Sequence, residues 1–171
     1  IRAFRPGEDV HGQIRYACRQ IGIHSKGTAM PANVVTKEAL QERMTANPFN
    51  NWMGMEIQEL TEDELIVTIT WRDEMISNPK ARYTHGGILG AMIDTVADFA
   101  IAAKVGIPVP TVDLRVDYHR AAAPGDLKCV ARVIKLGGTN SVAEGYVYDG
   151  DDKLVASGRG TYFTAAAKPK E

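Results

Sequence analysis

Cysteine is nearly missing from this chain: only Cys18 and Cys129 occur in 171 residues. Two thiols cannot build a disulfide framework, so a reducing, cytoplasmic compartment is expected. An excess of one charge is missing too, because 20 Lys and Arg face 21 Asp and Glu for a net charge of −1. No Lys/Arg run forms a basic stripe, and this excludes strong attraction to nucleic acid. There is no long uncharged hydrophobic run. The most apolar stretch, 86–109, carries Asp94, Asp98 and Lys104, each costly at a bilayer centre, so no membrane partner is expected. The opening residues, from Ile1 to Pro6, lack a signal-peptide core. Met30 is the first methionine, and the residues ahead of it are expected to be processed or peripheral to the fold. No Gly-x-Ser-x-Gly elbow, phosphate loop or dinucleotide fingerprint occurs. His11, His24, His85 and His119 have no Cys or His at ligand spacing, and no metal is expected.

What the chain does have is apolar material for one core, at 44% of residues against 24% charged. That excludes disorder as the main state and fits a single globular domain. Val10, Ile14, Ala17 and Ile21 make one apolar helical stripe over 8–21. A second helix is predicted over 36–44, with Thr36 as N-cap, Leu40 and Met44 on one face, and Asn47-Pro48 as its end. From Trp52 the pattern turns to alternation. Residues 53–60 and 64–71 read as strands joined by an acidic turn, with Leu65, Val67, Ile69 and Trp71 on one face.

A polar loop over 72–84 then leads into His85-Gly86-Gly87 and one long helix, 86–104. Four strand-sized pieces follow at 111–118, 127–136, 140–148 and 153–164, separated by Pro124-Gly125-Asp126, Gly137-Gly138 and Asp149-Gly150-Asp151. Turns this short predict that successive strands are antiparallel neighbours. Two strands, a helix and four strands exclude a doubly wound parallel sheet and give an α+β class. The expected organisation is a helical extension over 1–47, a domain over 48–165 and a frayed tail over 166–171.

The long helix has almost no polar face between Ile88 and Ala103, and a helix apolar all round is buried all round. Curling an antiparallel sheet around it is the simple way to achieve that. Asp94 and Asp98 sit inside this apolar cylinder, one turn apart on the same side. A buried carboxylate needs partners or a raised pKa. Either the two acids face a solvated seam or cap a neighbouring loop, or one serves as general base or nucleophile. His85-Gly86-Gly87 supplies a complementary half, because the first N–H groups of a helix are unsatisfied and suit a developing oxyanion. Asp94 follows Gly86 by eight residues, roughly 12 Å along a helix. One acid cannot act on a carbonyl held at the start of its own helix. If both groups work on one substrate, the acid must come from a second subunit.

The run from Thr84 to Asp94, Thr-His-Gly-Gly-Ile-Leu-Gly-Ala-Met-Ile-Asp, resembles the helix motif of hotdog-fold acyl-CoA thioesterases of the phenylacetate-degradation type. The resemblance covers about Pro48 to Phe163, including the strand–strand–helix–four-strand order and the Pro124-Gly125-Asp126 turn. It implies a long central helix wrapped by a curved antiparallel sheet of five to six strands. It also implies hydrolysis of a small aryl- or fatty-acyl-CoA to free acid and coenzyme A. No cofactor is implied, and the assembly would be at least a homodimer, and beyond it a tetramer of two dimers.

Carried over, the Gly86 N–H with Gly87 beside it would polarise the thioester carbonyl. Asp94 of a partner subunit would activate water or attack directly, Thr111 would help position water, and His85 would orient the loop. Asn78 is the candidate for the Asn that assists the carbonyl, although it precedes His85 by seven residues, one more than in the family pattern. Lys135, Gly137, Gly138 and Thr139 resemble the turn that meets the nucleotide, with Arg159 as a second cation; both also read as a solvated turn and a surface charge. The same fold supports acyl-CoA hydratase or dehydratase chemistry, or acyl-CoA binding without turnover.

Overall fold

The computed structural model of the chain describes residues 30–167; the helix expected over 8–21 lies outside them. The chain enters α1 (Lys37–Ala46) with the Thr36 side chain accepting from the Ala39 N–H. Asn47-Pro48 does more than end this helix. Asn47 caps a further short helix, α2 (Pro48–Met53), in which proline takes the first position, where no N–H is needed. Two strands follow, β1 (Met55–Leu60) and β2 (Leu65–Ile69), then the polar loop and α3 (Gly86–Val105). The last four strands are β3 (Thr111–Tyr118), β4 (Leu127–Lys135), β5 (Ser141–Tyr148) and β6 (Leu154–Tyr162).

All six strands form one antiparallel sheet in the order β1-β2-β4-β5-β6-β3. Short turns join β4, β5 and β6 as expected. The expectation that β3 is the neighbour of β4 fails, because β3 pairs with β6 at the far edge. Pro124-Gly125-Asp126 is therefore part of a crossover rather than a hairpin. The connection is pinned across the start of α3: the Thr84 N–H donates to the Ala122 carbonyl, and the Trp71 N–H donates to Asp126 Oδ1. That path leaves β4 free to pair with β2.

Register shifts interrupt four of the five strand pairs, and such irregularities bend strands and add twist. The sheet can therefore wrap α3. It also approaches the helix closely at one point. Gly145 and Gly158 are cross-strand partners, and a Cβ on either would lie 3.2 or 2.9 Å from Ile93 Cγ2. Met92, Ile93, Val96 and Ile101 of α3 are fully buried against Leu65, Val67, Leu127, Val147 and Val155. Helix α3 ends at Gly106, whose φ of 96° is readily reached only by glycine.

Helix α1 belongs to the same core, since Leu40 and Met44 are fully buried in it. Its Gln41 serves the open edge of β1, with Oε1 accepting from the Ile57 N–H and Nε2 donating to the Met55 carbonyl. A bare edge strand is a template for unwanted pairing, and α1 occupies it. The stretch expected to fray is ordered over its first part. Residues Thr164–Ala167 form a 3₁₀ turn, with Thr164 buried and the Ala165 N–H donating to the Thr139 carbonyl.

One expectation for α3 needs correcting. The helix is not covered all round, because Ile88, Ala91, Thr95 and Asp98 form a stripe that is only half-buried, with Asp94 beside it. The sheet stops at β3, whose Val112 and Tyr118 are 61% and 57% exposed. A single chain does not close the cylinder.

Candidate functional site: the start of α3 and its acid pair

His85 is the N-cap of α3. Its Nδ1 accepts from the Gly87 N–H at 2.8 Å, and its own N–H donates to the Met75 carbonyl at 2.7 Å. With Nδ1 accepting, the neutral ring carries its proton on Nε2. A Cβ on Gly87 would lie 2.9 Å from that Nδ1, so glycine here makes room for the capping ring. The Gly87 N–H is thus spent inside the chain. The Gly86 N–H finds no acceptor among the described residues and stands open at the positive end of the helix. Tyr118 closes one side of this opening: its hydroxyl donates to the Gly86 carbonyl at 3.0 Å, and its ring would lie 3.2 Å from a Cβ on Gly86.

Asp94 and Asp98 have separate fates. Asp98 Oδ1 accepts from the Val109 N–H at 2.8 Å and so caps the loop leading into β3. Burial pushes its carboxyl from 3.8 up to about 7; the Val109 N–H opposes that, and the nearby Asp94 adds to it. Asp94 Oδ1 accepts from the Thr111 hydroxyl at 2.8 Å, so Thr111 and Asp94, both expected at the site, do meet. Asp94 Oδ2 has no hydrogen-bond partner among the described residues, and Asp94 lies beside the half-covered stripe.

The remaining expected residues lie apart from this pair. Asn78 folds into its own loop, its Oδ1 accepting from the Lys80 and Ala81 N–H groups. Lys135 ends β4, and the turn after it is braced from within. The Gly137 N–H donates to Ser141 Oγ, the Gly137 carbonyl accepts from the Thr164 hydroxyl, and Gly138 stands beside Thr139. Arg159 is on the outer face of the sheet, its guanidinium paired with Glu144 across β5 and β6. Two tyrosines escaped the sequence reading, Tyr118 and Tyr162. Tyr118 was visible only as an alternating apolar position. Tyr162 carried a fainter signal, a large side chain two residues from Gly160 on one strand face. Among the described residues no three His, Cys, Asp or Glu side chains cluster as metal ligands, and no helix is long and apolar enough to cross a membrane.

The sequence model of the thioesterase superfamily matches residues 82–156, the stretch running from the end of the loop before α3 into β6. A solved structure of a thioesterase-superfamily protein superposes with a TM-score of 0.73 at 46% identity, covering 74% of this chain and 96% of that one. A candidate esterase of Halobacterium salinarum is 31% identical over 123 residues, 66% of this chain and 81% of the relative. The chain belongs to the thioesterase superfamily. The medium/long-chain acyl-CoA thioesterase YigI of Escherichia coli is more distant, 22% identical over 130 residues, 67% of this chain and 84% of that one. The wrapped helix is accordingly the hotdog fold of this superfamily, and the protein is a thioester hydrolase. Its open N–H and its free carboxylate oxygen are the kind of groups such a reaction uses, one for the developing oxyanion and one for the attacking water.

Proposed function

We propose that this enzyme hydrolyses a small aryl- or fatty-acyl-CoA in a homodimer, using Gly86 of one subunit and Asp94 of the partner subunit. One observation carries the reading. The open Gly86 N–H and the unpartnered Asp94 Oδ2 lie on one helix, separated by eight residues, or roughly 12 Å, too far to serve one carbonyl within a chain. A second copy brings them together if it packs on the half-covered stripe of α3 beside the exposed edge strand β3. Both are the surfaces a partner would cover.

The acyl carbonyl accepts the Gly86 N–H. Asp94 either takes a proton from water as its oxygen adds to that carbonyl carbon, or attacks the carbon directly, with water then cleaving the acyl-enzyme. In both routes the C–S bond breaks, coenzyme A leaves as a thiol after gaining a proton, and the acid is released. Coenzyme A is part of the substrate, and no other cofactor is invoked. Its phosphates would meet Lys135 and the turn at Gly137, Gly138 and Thr139; binding at Arg159 would compete with Glu144.

Turnover of a panel of aryl- and fatty-acyl-CoAs by the purified protein tests the reading. Asp94→Asn should lower kcat at least about a hundredfold. Full activity in that variant would remove Asp94 from the mechanism, and hydration of an enoyl-CoA faster than hydrolysis would assign the site to the other chemistry.

A further inference from the structure

Tyr162 is fully buried near the end of β6, and its hydroxyl lies 3.1 Å from the Asp94 carbonyl oxygen and 3.4 Å from Asp94 Oδ1. The β3–β6 register makes Thr111 its direct cross-strand partner. One strand pairing therefore brings the Thr111 hydroxyl onto Asp94 Oδ1 and sets the single O–H of Tyr162 between that oxygen and the Asp94 carbonyl. The register shift beside Thr111, between it and Asp113, is the sort of irregularity that re-aims a side chain at a site. Gly160 completes the arrangement: a Cβ there would lie 2.5 Å from the Tyr162 hydroxyl oxygen and 2.6 Å from its ring. The strand gives up a side chain so that this phenol can lie under the helix.

We propose that Tyr162 is a positioning residue for hydrolysis: with Thr111 it anchors Asp94 Oδ1 and leaves Oδ2 as the oxygen that acts on water or the thioester. This deepens the reading of Asp94 above and rests on it. A carboxylate on a helix surface has a broad terminal torsion, and a reacting oxygen must be held to within a fraction of an ångström. Thr111 alone provides one donor from an exposed strand end. Tyr162 adds a second, shared with the Asp94 carbonyl, from the core, where the ring cannot swing away. The phenol remains a donor throughout, because burial first, and then the charges of Asp94 and Asp98, push its ionisation upward.

The test is a double-mutant cycle between Tyr162→Phe and Asp94→Asn, read as kcat and KM on whichever of phenylacetyl-CoA and hexanoyl-CoA the wild type turns over faster. Phenylalanine keeps the ring packed on Gly160 and removes only the hydroxyl. The expected result is a fall in kcat of about tenfold with KM changed less than about twofold, and no further fall in the Asp94→Asn background. Thr111→Val is the second variant, and it should show the same kcat-only loss. Wild-type kcat in Tyr162→Phe would overturn the proposal, as would an equal tenfold loss when Asp94 is already Asn. If Asp94→Asn itself retains full activity, the reading of Asp94 fails and this role falls with it. If Asp94→Asn is impaired while Tyr162→Phe is not, only the role of Tyr162 falls.

Discussion

Replacing Asp98 by Asn should stabilise the protein, and the gain should grow with pH. The carboxyl is half-buried on α3, holds the Val109 N–H through Oδ1 and is pushed by burial from 3.8 up to about 7. An acid whose folded-state pKa lies above its unfolded value binds a proton in the folded chain that the unfolded chain has released. Stability is therefore lost as pH rises from about 4 to about 7, and the loss is complete above that. A displacement of about three pH units corresponds to roughly 4 kcal/mol at most, and partial hydration of the site brings the expectation to about 2 kcal/mol. Asparagine is neutral at every pH and still offers an oxygen to Val109. At pH 8 the variant should melt about 4–8 °C above the wild type, and the two should converge near pH 4. Thermal melts followed by circular dichroism across pH 4–8, at fixed protein concentration, make the comparison. A gain independent of pH, or one largest at pH 4, would refute the assignment of a desolvated carboxylate whose one N–H partner does not offset its burial.

Lys104 offers a second test, because its ammonium is buried at the end of α3 and donates to the Pro31 and Glu62 carbonyls, both at 2.7 Å. Lys104→Met should cost about 1–3 kcal/mol in urea unfolding, since two acceptors lose their donor. Gly158→Ala should cost more than about 2 kcal/mol in the same assay, because the new Cβ meets the Arg115 carbonyl at 2.5 Å and Ile93 Cγ2 at 2.9 Å. A silent substitution at Gly158 would mean that both β3 and α3 can give way around it.

The fold was largely legible because its signals are periodic and local. The glycines opening the helix at Gly86-Gly87, the alternation in β2 and β3, and the turns between β4, β5 and β6 each act over a few residues. The position of β3 was not legible. Which edge a strand takes depends on pairing between residues far apart in sequence, such as Thr111 with Tyr162, and a short polar connection looks like a hairpin whether or not it crosses over. The apolar circumference of α3 misled for a related reason: residues such as Ile88 and Ala91 are left half-covered by one chain, and sequence does not say whether the cover belongs to the same chain. At the candidate site, Asp94 and Gly86 stood out because a carboxylate in an apolar run and glycines opening a helix are locally anomalous. Tyr162 did not, since a tyrosine in a strand is ordinary until its hydroxyl is seen beneath the carboxylate.

Mixing two inactive variants tests the shared site most directly. Gly86→Pro removes the open N–H at a position where the preceding His85 is already extended, with ψ at 132°; Asp94→Asn removes the acid. Co-expressed chains assort at random, so about half the dimers are mixed, and each mixed dimer carries one wholly intact site if the two groups come from different subunits. Activity should return to about a quarter of the wild-type level on a matched acyl-CoA. Mixed dimers no more active than either parent would place both groups in one chain and contradict the account.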